Sequence, residues 1–213
     1  MPLPSSRKRP DESPRPYHHG DLRHALLDAA ITLLREGGVE ALTLRAVARA
    51  AGVSQTAPYR HFEDRRSLVA ALAQEAFARM GEAIGQTVQH GQPGLPALRR
   101  GMVAYVRFAQ EHPAEYRVMF GVELADRTDL PNLETAGLGV FDLLRDGIAR
   151  LQQAGVLGQG DAGLMAITAW ATLHGLVMLS LDRQTAKTGH PVDILVEAAL
   201  DLLMAGMRAA PAV

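Results

Sequence analysis

The sequence predicts an all-α protein of about nine helices, on three observations. Hydrophobic residues make up 47% of the chain and aromatics only 5%. Ala and Leu are abundant, and they have the highest helix propensities, whereas strands favour β-branched and aromatic residues. Apolar residues recur three and four positions apart between stretches punctuated by Gly and Pro, the period of a helix with one buried face. No run alternates apolar and polar residues as a half-buried strand does, and no repeat recurs at solenoid period.

The elements follow in order. Residues 1–17 carry Pro2, Pro4, Pro10, Pro14 and Pro16 among Ser and charged residues. Such a stretch can neither continue a helix nor bury a core, and reads as a disordered basic arm. From Asp21 a helix is expected with Leu22, Leu26, Ala29, Ala30 and Leu33 on one face, ending at Gly37-Gly38. Thr43 is placed to cap a second, short helix carrying Leu44, Val47, Ala48 and Ala51 as far as Gly52. Ser54 opens a third, Gln55 to Phe62, and Asp64 caps a long fourth with Leu68, Leu72, Ala76 and Met80 inside. Past Gln92-Pro93-Gly94, helices are expected at about 96–111, 114–120, 133–154, 161–187 and 192–208, separated by Gly and Pro. The predicted division is an arm over 1–17, a small module over 18–66 and a larger body over 67–213.

The totals exclude several chemistries. The 213 residues suffice for a sizeable core. With no cysteine, disulfides, thiol nucleophiles and cysteine metal sites are ruled out. The start of the chain lacks the apolar run of a secretory signal, so a cytoplasmic location is expected. No Gly-x-Ser-x-Gly elbow, phosphate-cradling glycine loop or metalloprotease histidine pair is present, so no enzyme and no cofactor are expected. His18-His19 could suggest a metal, but adjacent histidines chelate one ion poorly and no carboxylates join them, so none is expected. Net charge is −1. Residues 1–66 nevertheless hold 11 Lys and Arg against 8 Asp and Glu, while the remainder holds 11 against 15. A basic front on an acidic body suits a protein that meets a polyanion with one end.

The informative stretch runs from Leu42 to Phe62. A short apolar-faced helix, Gly52 at its end, Val53, a Ser and another short polar helix make a helix-turn-helix. Pro58 is tolerated there only near the first turn. Tyr59-Arg60-His61-Phe62-Glu63-Asp64-Arg65 resembles the end of the recognition helix in the tetracycline-repressor (TetR) family of bacterial regulators. Ala46-Val47-Ala48, then Ala51-Gly52-Val53-Ser54, resembles the helix and turn before it, and Tyr17-His-His-Gly-Asp-Leu-Arg23 a common start of one subgroup.

By that resemblance Thr43, Arg45, Tyr59, His61 and Arg65 contact DNA phosphates. Ser54 belongs to the same surface, Gln55, Thr56 and Arg60 face base edges, and Ala57 meets a thymine methyl. The chemistry agrees, since Gln pairs bidentately with adenine and Arg with guanine. The chain departs from the family where Pro58 replaces a frequent non-proline and Arg65 replaces the usual Lys. Packing without DNA contact is the competing reading for Tyr59 and His61, and plain solvation for Arg45.

Residues 162–181 carry no charge over twenty positions. Their length would admit a membrane span, but Gly, Thr, Ser and His within them favour a soluble helix buried between its own core and a partner. Trp170, His174 and Gly175 resemble the Trp-His-Gly signature of the C-terminal (WHG) domain of one TetR subgroup, and Pro113–Gly121 another of its segments. The resemblance implies that the last two long helices form a four-helix homodimer interface, with Leu195, Ala198, Ala199, Leu202 and Gly206 along one side. A two-fold dimer implies an inverted-repeat, double-stranded operator. It further implies a small, mostly apolar effector, for which Met102, Tyr105, Phe108, Met119, Phe120, Phe141, Trp170 and His174 are the lining candidates; plain core packing is the alternative for all eight. The function implied is a transcriptional regulator, a repressor released by that effector. The alternative is a DNA-binding protein of the same fold with no effector, controlled by a protein partner.

Overall fold

The computed structural model describes residues 19–209, with side chains from Leu22 onward; the arm predicted over 1–17 and His18 lie outside them. The described residues form eight α-helices and no strand: α1 (His19–Gly37), α2 (Leu44–Ala50), α3 (Arg65–Gln89), α4 (Leu95–Glu111), α5 (Pro113–Met119), α6 (Pro131–Gln153), α7 (Ala162–Leu181) and α8 (Val192–Ala209). Single 3₁₀ turns stand at Val39–Ala41, Pro58–Arg60, Val122–Leu124 and Thr185–Thr188. The all-helical fold is as predicted, with eight α-helices against about nine.

Local chemistry sets the boundaries. The Thr43 hydroxyl accepts the Ala46 N–H at 3.1 Å and starts α2. Its end is a Schellman closure: Val53 N–H reaches Ala48 C=O and Gly52 N–H reaches Arg49 C=O, with Gly52 at φ +69°. Asp64 and Ser67 form a reciprocal capping box at the start of α3. In α1 the fully buried residues are Leu26, Leu27 and Ala30, so the inner face is turned slightly from the predicted one, with Leu22, Ala29 and Leu33 at its margin.

Two predicted helices differ. The expected third, Gln55 to Phe62, is a set of turns around the 3₁₀ segment. Ala57, Arg60 and His61 donate to the residue three before each, and Pro58, buried, has no N–H to donate to Ser54. The helix expected to run to 187 stops at Leu181, where Arg183 takes a left-handed φ of +57° and Gln184 N–H closes onto Leu179 C=O.

α3 is the central strut. It packs against α4, α5 and α6 in the body and against α1 in the small module. All six residues from Leu68 to Ala73 are buried, and three of them are Ala, which lets neighbours approach from several sides. α5 locks onto the module through Glu115, which is 3% exposed. Its carboxylate accepts from Arg35 of α1 at 2.6 Å and lies 3.6 Å from Arg79 of α3. Burial alone would raise its pKa, but the bond to Arg35, with the charges of Arg35 and Arg79, outweighs burial and leaves it below the ordinary 4.5. Because the folded pKa is depressed, this stabilisation is complete above roughly pH 5 and is lost as pH falls through and below 4.5. Glu115→Gln is expected to cost about 2–3 kcal/mol at pH 7 and to flatten the acid limb of a Tm-against-pH curve. An unchanged acid limb would show that the pair contributes nothing to folding.

Candidate functional site

The first surface is the outer face of the small module. Thr43, Arg45 and Arg49 on and before α2, with Ser54, Gln55, Thr56, Tyr59 and Arg60 beyond the turn, are all exposed; Ala57 and His61 are half-buried. Tyr59 is 53% exposed, unusual for an aromatic that only packs. Arg45, Arg49 and Arg60 make no ion pair among the described residues, unlike Arg65, Arg66 and Arg99. Beneath this face Leu44, Val47, Pro58 and Phe62 are buried and hold it in place, and Val53 packs at the rim of the core. Thr43 Oγ1 is used as a cap and keeps its proton free for an acceptor outside. Ser54 Oγ lies 3.2 Å from Thr56 Oγ1 instead of capping a helix. These eight exposed donors or cations suit the phosphates and groove edges of a duplex.

Arg65 has partners other than phosphate. Its Nε donates to Leu42 C=O at 2.7 Å, one terminal nitrogen to Val39 C=O at 2.6 Å, and the other to Glu123 at 2.9 Å. A lysine could not span these three acceptors, whereas the arginine fork does. Arg65 thus ties the loop ahead of α2 to the turn after α5. His61 Nε2 is buried without a partner.

The second feature is a cavity of about 940 Å³ walled by α3, α4, α6 and α7. Five of the eight predicted lining residues face it: Met102, Tyr105, Phe120, Phe141 and Trp170. Phe108, Met119 and His174 do not line it; Phe108 and Met119 are buried in the core. The sequence reading did not single out Phe77, Ile84, Val88, Leu98 and Leu144, which supply much of the apolar wall, or the charged Arg127, Glu134 and Arg150. One signal for the missed wall was present. Gly85, Gly101, Gly137 and Gly147 lie inside helices, where each costs roughly 1 kcal/mol against Ala, and all four line the cavity.

One wall carries a buried polar chain. Trp170 Nε1–H donates to the Tyr105 hydroxyl at 3.0 Å, which lies 2.5 Å from the Tyr116 hydroxyl, itself 2.7 Å from His174 Nδ1. Burial pushes Tyr105 up to about 12 and raises Tyr116 further, so both phenols keep their protons. Burial also lowers the His174 pKa, which favours the neutral imidazole as acceptor.

A short helix, the Gly52 turn and a 3₁₀ segment present an exposed cationic face on a helical body that surrounds an apolar cavity. Residues 26–72 match the family described as bacterial regulatory proteins, tetR family, and residues 98–203 the tetracyclin repressor-like C-terminal domain. The chain belongs to the TetR family of bacterial regulators. Among curated proteins it is 34% identical over 85 residues to the class D tetracycline repressor protein of Escherichia coli, 40% of this chain and 34% of that one. It is 36% identical over 81 residues to the HTH-type transcriptional repressor AcnR of Corynebacterium glutamicum, 38% of this chain and 40% of that one. The matched stretch thus spans 34–40% of the length of these relatives. Among solved structures, a protein of unknown function from Rhodococcus sp. RHA1 is 37% identical with a TM-score of 0.81, over 91% of this chain and 99% of that one. FadR of Bacillus subtilis, solved with stearoyl-CoA, shares the fold at 17% identity and a TM-score of 0.70, over 86% of this chain and 98% of that one.

Arg65→Ala is expected to lower stability by about 1–3 kcal/mol and to leave the salt slope of DNA binding unchanged. A slope lower by about one, with Tm intact, would return Arg65 to the phosphate-contacting set.

Proposed function

We propose that the chain is a sequence-specific transcriptional repressor that binds an inverted-repeat operator as a homodimer and leaves it when a small, mostly apolar effector enters the cavity. The module over 18–66 reads DNA; the body over 67–213 dimerises and senses. The observation that carries the reading is α3, whose buried first turns support the reading face and whose Phe77, Ile84 and Val88 wall the cavity. A ligand wedged between α3, α4 and α6 acts on the same helix that positions the module. An effector can shift the reading heads only by as much as it prefers one arrangement over the other.

On the reading face, Arg45, Tyr59 and His61 are assigned to phosphates together with Thr43 and Ser54. Gln55, Thr56 and Arg60 are assigned to base edges, with Ala57 to a thymine methyl. Arg65 supports this set from behind. The cytoplasm, where the operator lies, is the working compartment.

The dimer is supported by the apolar surface of α7 and α8. α7 is long and apolar enough to cross a bilayer, with a mean hydropathy of 1.7, yet only 22% of its most apolar window is buried. Leu164 at 66%, Ile194 at 57% and Leu202 at 76% exposed extend that surface, and Ala198 and Gly206 of α8 are exposed beside Leu202. A second copy packed on this face gives a four-helix interface and accounts for both the hydropathy and the exposure of α7 without a membrane.

Selection from a random duplex pool at two salt concentrations is expected to recover one inverted repeat, bound more weakly at the higher salt. Gln55→Ala is expected to relax one base pair of that motif by about 1–3 kcal/mol. Recovery of no motif would refute sequence-specific reading. Leu202→Glu is expected to give a monomer by sedimentation, with operator affinity lost. A variant that stays dimeric would move the interface elsewhere.

A further inference from the structure

The cavity has a direction. Along α3 its wall runs from Phe77 to Gln89, twelve residues that rise roughly 18 Å. The far end, at Gln89, Pro93, Gly94 and Ala154, is made of exposed residues and opens to solvent. The near end, at Phe77 and Gly137, lies beside Arg127. That span matches an extended aliphatic chain of about fourteen carbons, from C–C bonds of about 1.5 Å laid in zigzag.

Arg127 is the unusual member of the wall. Arg150 and Glu134 are exposed to water, whereas Arg127 is half-buried, with its guanidinium 5.4 Å from the Phe77 ring centre. Its Nε donates to Leu124 C=O at 3.0 Å and its Nη2 to Met119 C=O at 2.6 Å. Nη1 makes no hydrogen bond among the described residues, and a Cβ on Gly137 would stand 3.0 Å from it. No carboxylate lies within 4 Å of Arg127 among the described residues, whereas Arg35, Arg65, Arg66, Arg79 and Arg99 all have one. Burial lowers its pKa, opposed only by the charge of Glu134. A guanidinium held at an apolar wall with no carboxylate in contact favours an anion in that cavity.

Resting on the effector reading above, we propose that the effector is a long-chain aliphatic carboxylic acid, unesterified. Its carboxylate is held by Arg127 and its tail lies along α3 toward the opening at Gln89 and Gly94. The head then sits against the Met119–Arg127 segment, which also carries Glu123, the partner of Arg65. Arg65 in turn holds Val39 and Leu42 at the entry to the reading module. A carboxylate drawing on Arg127 therefore pulls directly on the turn that anchors the module.

Trp170 is the sole tryptophan of the chain and lies in the cavity wall, so its emission reports occupancy. The full-length protein is titrated with myristate, 1-tetradecanol and myristoyl-CoA, with displacement of a neutral apolar dye as a second readout. Myristate is expected to bind at least about tenfold more tightly than the alcohol, the gain of a charge-assisted bond. Arg127→Gln is expected to abolish that difference while leaving the alcohol unchanged. Equal binding of acid and alcohol to the natural chain overturns the Arg127 anchor but leaves the cavity reading standing, and that comparison decides the matter even if the variant fails to fold. Tighter binding of myristoyl-CoA than of myristate overturns the free acid in favour of a thioester. Failure of every compound, the dye included, to enter would remove the effector reading itself.

Discussion

The rest of the molecule depends on the burial of the first half of α3. From Leu68 to Ala73 this helix has no face in water, so its position is fixed by neighbours on all sides. Such a helix cannot slide without repacking a core at crystalline density. It stays in register because α1, α4, α5 and α6 all close on it, and small side chains let them come near. The small module and the cavity are thereby both built on α3. The α5 segment is clamped to the same helix.

That clamp is electrostatic where the rest is apolar. Glu115 faces Arg35 and Arg79, Glu123 faces Arg65, and Arg66 reaches Asp129 and the Asp126 carbonyl. Glu115 joins α5 to α1 and to the middle of α3, whereas Glu123, Asp126 and Asp129 join the segment after α5 to Arg65 and Arg66 at the start of α3.

Much of this was legible in the sequence. Thr43, Asp64 and Gly52 are stop and start signals whose chemistry is local, and the structure uses them where they stand. The long-helix face of Leu68, Leu72, Ala76 and Met80 is buried as its spacing predicts. What could not be read is non-local. Pro58 converts an expected helix to a 3₁₀ turn because one missing N–H matters more in so short a segment. Arg65 finds carbonyls 23 and 26 residues away, which no spacing rule reveals. The cavity walls on α3 and α6 look like ordinary core in the sequence, because a lining side chain and a packed one share the same period.

The polar chain behind the cavity has a polarity of its own. An indole nitrogen can only donate, so the Tyr105 hydroxyl accepts from Trp170, and its own proton goes to Tyr116 or to His174 Nδ1, 3.4 Å away. Either way His174 Nδ1 is the acceptor at the end of the row, from Tyr116 at 2.7 Å or from Tyr105. The row therefore specifies one tautomer of His174, with the hydrogen on Nε2, and an imidazolium there would set two donors face to face. One donor-only residue in the wall thus dictates the protonation state of a histidine at the end of the row.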